Sequence, residues 1–203
     1  IAHLPLATAI TLNYTSPLFL AILTPFLLHE PPKKTLALTL IMGFVGISLL
    51  LKPTLDSDDW LAGSIGLLSG VGAAWAYVHV KQLGILNEPD WRTVFYFFFI
   101  STIGAGGWML FSDFHSVDWQ DLPLLLGLGL SATIAQLAMT RAYRTGNTLV
   151  VASLAYLTVV LASLIGVFWW HEHLNVESWL AIGLIILSGI ISVRSTQVQS
   201  AKN

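Results

Sequence analysis

The chain of 203 residues contains no cysteine and little charge. Without thiols it forms no disulfide and no thiolate metal site, although this fixes no redox compartment. Asp, Glu, Lys and Arg make up only 10% of it, where a soluble domain carries about 25%. The nine Lys and Arg form no basic cluster and the formal net charge is -2, so nothing in the sequence points to nucleic acid. The acidic residues lie in or beside the breaks between the long apolar runs, Glu177 at the edge of one. An enzyme acting within the bilayer usually needs paired carboxylates, a metal cluster or a nucleophile beside its base, and none is found. No low-complexity linker or polar domain interrupts the chain.

What is present is apolar. Residues of that kind make up 55% of the chain, in segments near Leu6 to Leu28, Thr35 to Leu51, Leu61 to Val80, Thr93 to Phe111, Leu122 to Thr140, Thr148 to Trp170 and Val176 to Val193. Each is long enough to cross a bilayer as a helix, which needs roughly 20 residues, and none alternates as a barrel strand would. The short breaks between them carry Pro, Gly, Asn and Asp, the residues of turns. Seven spans place Lys33, Lys34, Lys81, Arg92, Arg141, Arg144, Arg194 and Lys202 on one side and only Lys52 on the other. By the positive-inside rule the larger set is cytoplasmic, as is the C-terminus. Asp56, Asp58, Asp59, Asp113, Asp118, Asp121, Glu172 and Glu177 then lie outside.

One stretch is written twice. TLNYTSPLFLAILTPFLLHE, from Thr11, recurs 142 residues later as SLAYLTVVLASLIGVFWWHE, from Ser153, with Leu, Tyr, Phe, His and Glu matching at Leu12/Leu154, Tyr14/Tyr156, Phe26/Phe168, His29/His171 and Glu30/Glu172. Both copies end in His-Glu where the apolar run stops, and a Gly-containing apolar run follows each. The copies are the first and sixth spans, five places apart in the order, so they are inverted in the membrane. Inverted repeats let two related halves exchange roles around a midplane site in secondary transporters.

The Pro-containing helix SPLFLAILTPFLLHE, the run LIMGFVGISLLL, and GLGLSATIAQLAMTRAYRTGNTLVVASLAYL through HE to IGLIILSG resemble the drug/metabolite transporter superfamily with paired EamA domains. The resemblance covers nearly the whole chain. It implies an all-α integral membrane protein of the inner (plasma) membrane of bacteria, with seven transmembrane helices of a ten-helix fold made of two inverted five-helix repeats. Residues 1–54 would supply the last two helices of the first repeat, 58–195 the complete second repeat and 196–203 a cytoplasmic tail. The chain opens at Ile1 without a Met or a positive leader and is expected to be the later part of a longer protein. Val159 stands where the first copy has Pro17, a departure from symmetry.

Candidate solute-binding residues follow from helical spacing. Asn13, Ser16, Leu20 and Thr24 form one stripe, and their mates Ala155, Thr158, Ala162 and Gly166 another. Pro17 cannot donate to the carbonyl of Asn13, nor Pro25 to that of Ala21, which predicts a kinked helix with free acceptors. Gly129, Thr133, Gln136 and Thr140 form a further stripe, and Gly66, Gly70, Ala73 and Tyr77 share a face. Asn13, Tyr14, Tyr77, Gln136, Thr140 and Tyr156 are accordingly the expected substrate contacts. Pro17, His79 and Arg141 are candidates for gating or coupling. The competing reading of each stripe is helix packing, which small residues and amides also serve in membranes.

The charged ends take simpler readings. Arg141, Arg144 and Lys81 satisfy orientation and snorkelling. Glu30 and Glu172 are candidates for gates, with solvation in loops as the simpler reading. His171, Glu172 and His173 are neighbours that point apart, and His115 belongs to a polar outer loop, so no metal or other cofactor is expected. Trp60, Trp91, Trp119, Trp169, Trp170 and Trp179 sit at span ends as interfacial anchors. The expected function is transport of a small polar or amphipathic metabolite by alternating access, with lipid and solute as partners and a homodimer as one compatible assembly. A lipid-modifying enzyme and a non-transporting scaffold are the alternatives.

Overall fold

The computed structural model describes residues 4–30, 34–54, 60–111 and 118–200. Lys33, Lys202, Asp56, Asp58, Asp59, Asp113 and His115, whose sidedness was read from sequence, lie outside the described residues. The regular structure among the described residues is all helical, in the order α1 (Leu6–Asn13), α2 (Ser16–Leu27), α3 (Lys34–Leu51), α4 (Trp60–Ile85), α5 (Asp90–Met109), α6 (Leu122–Thr145), α7 (Thr148–Ala155), α8 (Leu157–Trp170) and α9 (Val176–Ser200). Six segments are long and apolar enough to cross a bilayer: Leu6–Leu27, Lys34–Leu51, Trp60–Ile85, Leu122–Thr145, Thr148–Trp170 and Val176–Thr196. The seventh expected span is also a helix, α5. It opens on Asp90 and Arg92 and ends among Gly104, Gly106 and Gly107, which lowers its apolar character.

Two of the expected spans are each broken in two. The first copy parts between α1 and α2 at Tyr14 and Thr15, and the second between α7 and α8 at Tyr156. Tyr14 and Tyr156 are repeat mates, so the breaks fall at corresponding places. In the first copy Pro17 lacks an N–H. The ladder closes there with tight turns, from the Leu18 amide to the Thr15 carbonyl (2.9 Å) and from the Thr15 amide to the Leu12 carbonyl (3.2 Å). Pro25 frees the carbonyl of Ala21, and the Thr24 hydroxyl donates to it at 3.5 Å. Both copies stop in the same way, at a left-handed histidine: φ is 55° at His29 and 56° at His171. Histidine is among the few non-glycine residues enriched in that conformation. The repeated His-Glu is therefore a helix terminator.

The chain divides into two compact units, one from the described parts of Ile1–His79 and Asn147–Asn203, the other Val80–Gly146. In the first, α3 and α9 pack most closely. Small residues permit this: a Cβ on Gly46 would lie 2.6 Å from Ile185, and one on Gly43 would meet the Tyr156 ring and stand 3.0 Å from Ser188 Oγ. Leu36, Leu40, Ile47, Ala181 and Ile185 fill the seam. In lipid such van der Waals contact replaces the hydrophobic effect as the force between helices. Asn147 caps α7, its side chain accepting from the Val150 amide at 3.3 Å, and Asn175 caps α9, accepting from the Ser178 amide at 2.9 Å.

In the second unit α5 lies beside α6, and the end of α4 meets the end of α6. Arg144 pairs with Asp90 at 2.9 Å. Lys81 donates to the carbonyls of Gly146 (2.8 Å) and Arg144 (3.3 Å), which lie at the end of α6. A cation at that end satisfies carbonyls that have no partner within the helix.

Candidate functional site

The helix break of the first copy is seated on α4 by glycine. A Cβ on Gly66 would lie 2.7 Å from Leu12, and one on Gly70 would meet the Thr15 hydroxyl and come within 2.9 Å of the Leu12 carbonyl. The expected close contact along the Gly66 and Gly70 face is thus present, and its partner is the break itself. Thr15 turns its hydroxyl back to the Leu12 carbonyl at 2.6 Å, so a freed acceptor is satisfied locally.

Between α1 and the first half of α4 runs a groove of about 640 Å³. Leu4, Leu6, Ile10 and Ile65 make its walls apolar, and among the described residues no charged side chain lines it. Its polar groups are Asn13, Tyr14 and Ser69. Asn13 donates from Nδ2 to Ser69 Oγ at 3.2 Å, and Ser69 donates in turn to the Gly66 carbonyl at 2.6 Å. Asn13 remains exposed in this arrangement, and its amide oxygen faces no partner among the hydrogen bonds described. The pattern is that of a small-molecule site: a concave apolar surface with few fixed polar groups.

Tyr14 connects the groove to the second copy. Its ring lies 6.0 Å from that of Tyr156, tilted by 58°. Tyr156 is fully buried and its hydroxyl donates to the Tyr14 carbonyl at 3.4 Å. A hydrogen bond therefore joins two positions 142 residues apart, the repeat offset itself. At the far end of α2, Glu30 accepts a bond from the Thr148 hydroxyl of α7 at 3.3 Å.

The other expected residues are distributed as follows. Pro17 is buried at the start of α2, just beyond the break, and Tyr77 is half-buried on α4. His79 is exposed and bonds its own helix, Nδ1 to the Trp75 carbonyl at 2.8 Å, with the Trp75 ring 5.2 Å away. Gln136, Thr140 and Arg141 belong to the second unit. There Gln136 is half-buried, Arg141 is exposed, and Thr140 is buried with a hydroxyl that has no hydrogen-bond partner among the described residues. Thr133 bonds the Gly129 carbonyl of its own helix at 2.7 Å. Among the described residues no three His, Asp or Glu side chains gather.

Sequence reasoning passed over Ser69 and Lys81. Ser69 stands three residues after Gly66, so the glycine face already contained the signal for a polar neighbour of Asn13. Lys81 was read as an orienting charge, and a cap formed across 65 positions leaves no local trace.

These features define a multi-pass all-α membrane protein with paired broken helices. The model of the EamA-like transporter family matches residues 60–194. A Helicobacter pylori protein named "Uncharacterized transporter" is 26% identical over 94% of this chain and 66% of its own length. The pseudopaline exporter CntI of Pseudomonas aeruginosa is 29% identical over 97% of the chain and 69% of its own length. One solved crystal structure superposes with a TM-score of 0.78 at 19% identity, covering 93% of this chain and 69% of that one. The chain belongs to the EamA-like transporter family, and it spans 66% of the length of its Helicobacter relative.

Proposed function

We propose that the chain forms part of a secondary transporter of a bacterial inner membrane that moves a small polar or amphipathic metabolite by alternating access. The observation that carries this reading is the groove between α1 and α4, apolar along its walls and, among the described residues, polar at Asn13, Tyr14 and Ser69, ending at a helix break that touches its repeat mate. Irregular backbone at membrane depth belongs where it lines a cavity or meets protein. Broken helices in inverted repeats commonly build transport sites. Residues 1–54 act as the end of a first repeat and 58–195 as a second. With the Lys and Arg set inside, the groove lies in the outer half of the membrane, beside the starts of α1 and α4.

The lining favours a solute without net charge, because an ion entering this apolar wall would leave its hydration unreplaced. Asn13 would orient it through its amide, Tyr14 and Ser69 through their hydroxyls. Two of the relatives bear the name of transporters, which supports transport over lipid chemistry.

Metabolite profiling of cells with and without the intact gene, followed by flux of the responding compound in vesicles carrying the full-length protein, tests this. A pool that shifts and a flux that depends on the protein are expected. Unchanged pools and flux, with altered lipid turnover in the same membranes, would replace transport with an enzyme.

A further inference from the structure

The two ends of the repeated helices are not equivalent, and the difference identifies a switch. At the inner end in the proposed orientation, Glu30 closes α2 and its carboxylate accepts from the hydroxyl of Thr148, the first residue of α7. Thr148 is fully buried and Glu30 half-buried, so water competes poorly for this bond. The offset of 142 maps Glu30 to Glu172 and Leu6 to Thr148. The same side-chain bond at the opposite end would have to join Glu172 to Leu6, whose side chain has no polar atom to offer. Leu6 is 59% exposed and lines the groove, whereas Thr148 is 0% exposed. The face of α1 formed by Leu6, Ala9, Ile10 and Asn13 is open to the groove. On α7 the mates Thr148 and Ala152 are buried and Val151 half-buried.

We infer that Glu30 and Thr148 form a latch between the two copies that holds the inner side closed while the groove stands open to the outside, and that among the described residues their mates Glu172 and Leu6 form no such bond at the outer end, where the exposed Lys52–Glu177 ion pair (2.7 Å) joins α3 to α9 with the groove already open. The inference rests on the alternating-access reading above. Its physical content is a bias. A carboxylate bond to a buried hydroxyl at one end only stabilises one of two related states, and a two-state equilibrium shifts by the free energy of whatever distinguishes them. The carboxylate also faces the N-terminus of α7, where a negative charge is favoured. Opening the inner side separates α2 from α7 and breaks this contact. Opening the outer side leaves it intact.

Repeat mates supply the reporters. The chain has no cysteine, so in a full-length protein with any cysteine outside these residues replaced, Ala9→Cys in the groove and Val151→Cys on α7 can be introduced separately and labelled with an impermeant maleimide, outside on intact cells or inside on inverted vesicles. In the wild-type background Ala9→Cys reacts from outside and Val151→Cys reacts slowly from within. Adding Thr148→Val or Glu30→Ala raises the inner labelling of Val151→Cys about fivefold and lowers the outer labelling of Ala9→Cys, as loss of one charge-assisted hydrogen bond would. Thr148→Ser, which keeps the hydroxyl, labels like wild type. Leu6→Thr gives Glu172 a donor and raises outer protection. The latch is overturned if Thr148→Val and Glu30→Ala both accumulate and label as wild type does, or if Thr148→Ser shifts labelling as much as Thr148→Val. Failure of Ala9→Cys to react from outside in the wild-type background would overturn the alternating-access reading instead, since no groove would then be open.

Discussion

Between Asn13 and Ser16 the first helix parts just before a proline, whereas between Ala155 and Leu157 its repeat mate parts with none in reach. In the first copy the covalent structure removes a donor, and the ladder has to close with shorter turns. In the second, Val159 keeps its N–H and gives it to Tyr156 at 3.2 Å, the tighter spacing of a 3₁₀ turn. What holds that break is packing: the Tyr156 ring fills the space that a Cβ on Gly43 would need and stands against Tyr14. Each break rests on a glycine of a neighbouring helix, Gly70 of α4 for the first and Gly43 of α3 for the second. The lesson is that a repeat can preserve a backbone shape while exchanging its cause.

That comparison can be broken most severely with proline. Val159→Pro transfers the first copy's device to the second, and because Val159 lies in the first turn of α8 it forfeits one strained bond, about 1 kcal/mol. Leu161→Pro, two residues further into the helix, should cost about 3 kcal/mol or more. Thermal unfolding in detergent distinguishes the two, and equal losses would mean that α7 and α8 behave as one continuous helix.

Next in size are the glycine seats. Gly43→Ala and Gly70→Ala should each lower stability by about 1–3 kcal/mol through overpacking. Gly70 has the stiffer neighbour, a backbone carbonyl 2.9 Å from the new Cβ, so it should be the worse of the two. Gly72→Ala, with open space around it, should be neutral or stabilise by about 0.5–1 kcal/mol. A Gly43→Ala protein as stable as Gly72→Ala would show that Tyr156 does not lean on α3.

A smaller effect sharpens the link between the mates. Tyr156→Phe removes a long hydrogen bond of 3.4 Å while keeping the ring, and should cost about 0.5 kcal/mol. Tyr156→Ala empties the site beside Gly43 and should cost about 3–5 kcal/mol. Similar losses from both would assign the second break to the hydroxyl in place of the ring.

Much of this was readable in the residues. The doubled stretch and its offset placed Tyr14 opposite Tyr156, and Pro17 announced the first break. The glycine face of α4 announced close packing. The second break was not readable, because Val159 carries no local signal and the cause lies in Gly43, more than a hundred positions away. His-Glu was legible as a terminus but not as a left-handed one, since histidine only tolerates that conformation. The surroundings of Asn13 were legible in part. Asn13 stood out as an amide in an apolar helix, but its partner Ser69 comes from another span, and residue spacing within one helix says nothing of its neighbour.

The central claim is that Asn13 serves a solute. Its bond to Ser69 is exposed, so the fold gains little from it. The measurement is the concentration dependence of flux in vesicles containing full-length protein, for the metabolite whose pool responds to the gene, with wild type and Asn13→Ala compared alongside their melting temperatures. About a tenfold loss of apparent affinity, the effect of roughly 1.4 kcal/mol, with an unchanged melting temperature is predicted. Unchanged affinity together with a lowered melting temperature would make Asn13 a packing residue and contradict the account.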